Sequence, residues 1–274
     1  MMTKVRSDGR MMPRLIECVR KQYITPNLLR VTFSGEDLKG FPAGTEGLLI
    51  KLFFANQETG TLELPTRTEE KIYWPEHKPV SRAYTIRHFR EDLNELDVDF
   101  VPHSPDSPAS GWAINAQPGD KIGLGGPGGP QTLLPPADWH ILAGDLTALP
   151  AISALLEQLP ESAKGYAFVE VPCEEDIHAL THPAGVEVVW VVREVRADSE
   201  PLLDAIRTID PQAQSGKLTA FLAGENDAVL ACRKHLIETY QLKKRDLHAL
   251  PYWRRGQDED EYHEARHDIM DEEY

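Results

Sequence analysis

The sequence predicts a two-domain β + α/β chain: an antiparallel β-barrel to about residue 135, then an α/β domain built on a parallel sheet. From Arg14 to about Gly129, short runs rich in β-branched and aromatic residues are separated by turn signals, as in a barrel. Beyond Pro136 strand-like and helix-like runs alternate, the pattern of parallel strands covered on both faces. At 274 residues, with 41 % hydrophobic and 27 % charged side chains, the chain suits two globular domains.

In the first domain the expected strands are LIECVRKQYIT, LLRVTFSG, LLIKLFFAN, SRAYTIRHF and ELDVDFV, with turns at Pro26-Asn27, Gly35-Glu36 and Glu91-Asp92. Residues 57–80, polar and holding three prolines, read as a long excursion from the barrel. Pro118-Gly119-Asp120 is a turn signal, and a strand follows over Lys121 to Leu124. The GxGxxG match from Gly123 to Gly128 is not a dinucleotide fingerprint, because Gly129-Pro130 and Pro135-Pro136 follow and no helix can begin there.

In the second domain Trp139 to Gly144 reads as a buried strand, and Leu149, Ile152, Leu155, Leu156 and Leu159 recur at helical spacing with Pro150 in the first turn. Further strands are expected at Tyr166–Val171, Glu187–Val192 and Leu218–Gly224, and helices near Pro201–Ile209 and Asn226–Tyr240. Ligands of such sheets bind outside the carboxyl ends of the strands. Three segments are therefore site candidates: the loop from Gly144 and Asp145 through Thr147 and Ala148, the loop Gly224-Glu225-Asn226, and Tyr252-Trp253-Arg254-Arg255-Gly256 after the last helix. Taken singly, the glycines are equally turn residues, Thr147 a helix cap, and the aromatics core side chains.

The net charge is −15, and the stretch from Gln257 to Tyr274 holds nine acids against Arg266, forming an acidic tail or helix over 257–274. Such a balance argues against nucleic acid or an anionic membrane surface as partner. No apolar run reaches the length of a membrane span, and the basic start lacks a secretory core, so a cytoplasmic location is expected. Cys18, Cys173 and Cys232 are odd in number and far apart, which fits reduced thiols better than a disulfide framework. The tail contains HExxH at His263–His267, but only seven residues follow in a nearly all-acidic setting, so we reject a zinc-protease site. The tail reads either as a helix across the entrance to the site or as a solvated segment.

The chain is organised around Ser81–Trp112. In an extended strand Arg82 and Tyr84 share one face, with Thr85 and Arg87 opposite, and a cation beside an aromatic ring suits a flat phosphate-bearing ligand. About 25 residues on, Pro108-Ala109-Ser110 opens a helical run whose free N–H groups favour phosphate. This ordered set, Arg-x-Tyr-Thr then Pro-Ala-Ser-x-Trp-Ala, with GDLTALPA, Gly-Glu and Tyr-Trp-x-x-Gly downstream, resembles the siderophore-interacting proteins and covers about 10–256.

The resemblance implies a ferredoxin-reductase-like fold: an FAD-binding β-barrel over 10–135 and a Rossmann-like NAD(P)H-binding domain over 136–256. It implies an FAD-dependent reductase of ferric siderophores, with NADH, NADPH or reduced ferredoxin as electron donor. Arg82 would bind the flavin phosphates, Ala83 and Tyr84 would lie along the ring, and Thr85 would hydrogen-bond near N5. Asp99, Val101 and His103 would line the FAD, Ala109 and Ser110 would hold its pyrophosphate, and Thr147 and Ala148 would approach from the second domain. Gly144, Asp145, Gly224, Glu225, Tyr252 and Trp253 would form the nicotinamide side. Lys51, Arg254 and Arg255 would meet an anionic chelate, although most such cations are ordinary surface charges. No acid, base or metal ligand is implied. Two departures stand out: HSPDSPAS lacks the glycines usual before Pro-Ala-Ser, and Leu146 replaces an acid after Gly-Asp. An electron-transfer reductase serving ferredoxin or flavodoxin, and a non-catalytic flavin- or siderophore-binding protein, are the other readings.

Overall fold

A computed structural model describes residues 12–67, 71–130, 132–193, 200–211, 215–257 and Tyr262. The chain divides into two compact units between Pro130 and Gln131. No described helix is long and apolar enough to cross a membrane.

The first unit contains β1 (Arg14–Thr25), β2 (Leu28–Ser34), β3 (Leu49–Phe54), the short pair β4 (Thr66–Arg67) and β5 (Ile72–Tyr73), then β6 (Val80–Thr85), β7 (His88–Arg90), β8 (Glu95–Phe100), α1 (Pro108–Asn115) and β9 (Lys121–Gly128). Seven strands form one antiparallel sheet in the order β6-β3-β9-β1-β2-β8-β7. Its end strands β6 and β7 are separated only by Ile86 and Arg87, so the sheet must curl until its edges meet. SRAYTIRHF, expected as one strand, is therefore two. Ile86 still bonds back to Leu48 O, whereas Arg87 N donates to Asp97 O, and the chain changes partner at this corner. Alternating residues of the strands fill the interior, among them Ile16, Phe33, Leu52, Phe54, Val98 and Phe100, with Ala113 of α1 packed against them. The Gly-rich run Gly123–Gly128 is strand, in keeping with its rejection as a helix-opening fingerprint.

The second unit contains β10 (Trp139–Asp145), α2 (Leu149–Gln158), β11 (Lys164–Val171), β12 (Gly185–Val192), α3 (Pro201–Ile206), β13 (Leu218–Glu225), α4 (Asn226–Tyr240) and β14 (Leu247–Trp253). The five strands run parallel in the order β12-β11-β10-β13-β14. All residues of β10 are buried, as its nearly continuous apolar run requires of a central strand. β11 and β12 lie on one side of β10, and β13 and β14 on the other, so the topology reverses between β10 and β13. A crevice opens at the carboxyl ends there. β14 was not expected: Tyr252 and Trp253 belong to an edge strand rather than a loop. Pro251 obscures the run in sequence, yet an edge position tolerates its missing donor.

Candidate functional site

In the first unit β6 places Arg82 and Tyr84 on one face. Tyr84 is half-buried, its ring 4.4 Å from that of Phe100, and Phe100 in turn lies 6.5 Å from Trp112 of α1. These rings join the Arg-x-Tyr-Thr strand to the Pro-Ala-Ser helix, about 25 residues apart in the chain. Thr85, at the end of β6, is buried, and Arg82 Nη1 donates to Ser81 O at 2.9 Å.

The loop after β8 is closed from within. Ser110 Oγ accepts hydrogen bonds from His103 N at 3.0 Å and Ser104 N at 3.4 Å, and His103 Nδ1 lies 3.1 Å from Val101 O. The Ser110 oxygen thus fixes the loop, in a stretch that lacks the usual glycines, while its O–H proton remains free to donate to an anion beside the N–H groups of the helix start. Pro108 at the first helical position sacrifices no bond, and the first-turn N–H groups have no intrahelical acceptors. A cation, a half-buried ring and a helix start within one barrel fit the phosphates and flat ring of FAD.

Asp99 stands apart from this group. Strand alternation turns it away from Phe100, and Arg30, which sequence reading overlooked, holds it bidentately at 2.6 and 2.8 Å. It is one rung of a ladder with Asp97, held by Arg90 at 2.7 and 2.8 Å, and Glu95, held by Arg20 at 2.6 Å. Burial works against the Asp97 charge, but hydrogen bonds from Arg90 and Thr32 outweigh it and keep the carboxyl below its usual range.

In the second unit the crevice is organised by one carboxylate. Asp145 Oδ1 accepts from Thr147 N at 2.8 Å and Thr147 Oγ1 at 2.5 Å. Its Oδ2 accepts from Glu225 N at 2.8 Å and Trp253 Nε1 at 2.7 Å. Gly224 has φ +125°, and a Cβ there would stand 2.7 Å from this carboxylate, so glycine is required. Glu225 caps α4, its Oε2 accepting from Asp227 N and Ala228 N while Oε1 accepts from Arg255 N at 3.2 Å. All three sequence-derived segments, from Gly144 to Thr147, Gly224-Glu225 and Trp253 to Arg255, thus meet around Asp145.

Ala148 is fully buried; a Cβ on Gly144 would stand 2.5 Å from its methyl, so its side chain serves the strand–helix turn and is not presented to a ligand. Tyr252 is half-buried next to Trp253. Arg254 lies 3.9 Å from Asp227, Arg255 is exposed, and Lys51, in the first unit, is exposed on β3. His263, His267 and most of the acidic tail lie outside the described residues. Tyr262 does not: it is 2 % exposed and donates to Asn226 Oδ1 at 3.0 Å. Neither Tyr262 nor buried Asn226 carries a sequence signal beyond its neighbourhood.

Comparison with known proteins decides the family. Residues 17–131 match the siderophore-interacting FAD-binding domain, and residues 137–256 match the siderophore-interacting protein model. The chain belongs to the siderophore-interacting protein family. It is 52 % identical over 265 residues to ferric vibriobactin reductase ViuB of Vibrio cholerae, covering 97 % of this chain and 98 % of that one. It is 32 % identical to the NADPH-dependent ferric-chelate reductase of Escherichia coli, covering 91 % and 95 %. Among solved structures, the siderophore-interacting protein SipS of Aeromonas hydrophila superposes with a TM-score of 0.83 at 35 % identity, covering 95 % and 98 %. Ferredoxin-NADP+ reductase of Plasmodium falciparum, 16 % identical and covered to 99 % by 92 % of this chain, shares the fold at a TM-score of 0.62. Family membership accounts for both units, the barrel as the FAD-binding domain and the parallel sheet as the ferredoxin-reductase-like partner domain.

Proposed function

We propose that this protein is a cytoplasmic FAD-dependent reductase that takes electrons from NAD(P)H and reduces Fe(III) held by a siderophore. The observation that carries the reading is the Asp145 node, which assembles three separate segments at the switch point of a sheet that follows an FAD-binding barrel. The names of the relatives in Vibrio cholerae and Escherichia coli point the same way.

Arg82 and the start of α1 bind the flavin phosphates, Tyr84 supports the ring, and Thr85 donates to its edge. The Val101–His103 backbone, fixed by Ser110, lines the same pocket. Asp145 holds Thr147, Glu225 and Trp253 in place for the nicotinamide, and Lys51, Arg254 and Arg255 attract an anionic chelate. FAD supplies the exchange between two-electron hydride chemistry and the one-electron reduction of iron. Siderophores bind Fe(III) through hard oxygen donors, and reduction to the larger, less charged Fe(II) weakens that grip and releases the metal with the chelator intact. Positioning rather than proton transfer sets the rate, so no residue is assigned as acid or base.

Anaerobic mixing of FAD-loaded protein with NADH or NADPH, followed by a ferric siderophore and an Fe(II)-specific trap, tests this. Bleaching of the flavin followed by trapped Fe(II) is expected. Bleaching by neither nucleotide would shift the donor role to a reduced ferredoxin. Bleaching without Fe(II) from any ferric chelate would overturn the assignment.

A further inference from the structure

Asn226, Leu230, Arg233 and Ile237 recur along α4 at spacings of four, three and four, so they follow one another down one side of the helix. Leu230, Arg233 and Ile237 are half-buried, and Lys234 beside them is exposed. With Ala231 and Glu238 they line a hollow of ≈ 390 Å³, to which no described residue outside α4 contributes. At the foot of the helix Lys243, Lys244 and Arg245 are all exposed. The head of the stripe is occupied: Tyr262, 2 % exposed, donates to Asn226 Oδ1 at 3.0 Å. Twelve residues follow Tyr262, with five acids against Arg266, and Ala265 and Ile269 continue from it at helical spacings of three and four. As a helix they would extend about 18 Å, against about 22 Å for the fifteen residues of α4.

We propose that residues 263–274 dock along this stripe of α4, Ala265 and Ile269 resting on Leu230 and Ile237 while the acids reach Lys234 and the Lys243–Arg245 cluster. Three observations select this occupant over a second copy or another protein. The segment starts at a residue already seated at the head of the stripe, its length matches that of α4, and its charge is opposite to that of the helix foot. The covalent link also holds it there at a high effective concentration. Docked so, the tail braces α4 and leaves the entrance to the site open. This holds whatever the protein reduces.

A zero-length carbodiimide joins a lysine amine to a carboxylate only where the two meet, and it tests the docking on the FAD-loaded full chain. The segment has no lysine, so each of its cross-links starts from one of its own carboxylates. In the monomer band, peptides joining Glu264, Asp268 or residues 271–274 to Lys234, Lys243 or Lys244 are expected, and about 0.5 M salt should cut their yield at least about fivefold. In the Lys243→Glu/Lys244→Glu/Arg245→Glu variant the amides of 263–274 should exchange about tenfold faster than in the wild type. FAD content and circular dichroism control for folding; if this variant does not fold, Lys243→Gln/Lys244→Gln is read in its place. A chain ending at Tyr262 should lose about 3 °C in Tm at low salt, with the KM for the nicotinamide within about twofold of wild type. Cross-links from the tail only to lysines of the first unit, only between molecules, or to no lysine at all would overturn the docking. So would wild-type exchange of 263–274 as fast as in an isolated peptide, or exchange unchanged by the charge reversal.

Discussion

Asp97 on β8 and Asp145 at the end of β10 are both strand carboxylates, 4 % and 7 % exposed, and both are surrounded by donors. Asp97 takes its donors from the two neighbouring strands, Thr32 directly opposite on β2 and Arg90 two residues along on β7, and arginines also hold Glu95 and Asp99 two residues either way. Asp145 takes two of its four donors from the adjacent turn at Thr147 and the other two from the distant ends of β13 and β14, Glu225 N and Trp253 Nε1. The first arrangement braces a wall; the second assembles a crevice. Burial is alike in the two, but Asp97 is held by a guanidinium and Asp145 by neutral donors at a topological switch, and that position marks Asp145 as the candidate site.

Asp145→Ala should have the largest effect. It leaves Thr147, Glu225 and Trp253 without their shared acceptor, and a loss of about 3–5 kcal/mol in urea unfolding is expected, with flavin reduction by NAD(P)H slowed at least about 100-fold in stopped flow. Asp97→Ala sharpens the contrast. Removing the acceptor of Thr32 and one of the two carboxylates that hold Arg90, which keeps Glu95, should cost about 1–2 kcal/mol of stability, with nicotinamide-driven flavin reduction within about twofold of wild type. A comparable slowing in both variants would erase the distinction.

Acid should separate the two units in the same way. His248 is stacked on Phe221 at 5.3 Å, and burial pushes its pKa down to about 4. The unfolded chain takes this proton first, so the contribution is complete above about pH 6.5 and is lost as pH falls toward 4, to a limit of about 3 kcal/mol. Burial likewise lowers His140. The depressed Asp97 carboxyl contributes stability that is lost only as pH falls below the carboxylate range. Urea titrations should therefore weaken from pH 6.5 downward in the wild type, with a smaller slope in His248→Gln; equal slopes would remove His248 as the cause. The smallest change is Trp253→Phe, which deletes the 2.7 Å bond to Asp145 while keeping a ring. It should cost about 1–2 kcal/mol and raise the KM for the nicotinamide more than it lowers kcat.

Much of this was legible beforehand where the signal is local. The switch from strand runs to alternating strands and helices predicted the two architectures, and the prolines after Gly128 excluded a crossover helix there. The motif order also brought the three segments that meet at Asp145 to the carboxyl ends of the strands, although the third is an edge strand and not a loop. What stayed hidden depends on contacts between distant residues: that Arg30 claims Asp99, that Ser110 closes its own loop, that Pro251 sits in an edge strand, and that Tyr262 is buried against Asn226.

Composition, periodicity and turn chemistry act over a few residues at a time, so the amino-acid order by itself determined the two architectures and most of their strands and helices, but not the break inside SRAYTIRHF or the edge strand β14. Which donor meets which carboxylate was decided only in the tertiary structure. Register and sheet order bring together side chains up to about a hundred positions apart, as with Trp253 and Asp145, and no short-range pattern carries that pairing.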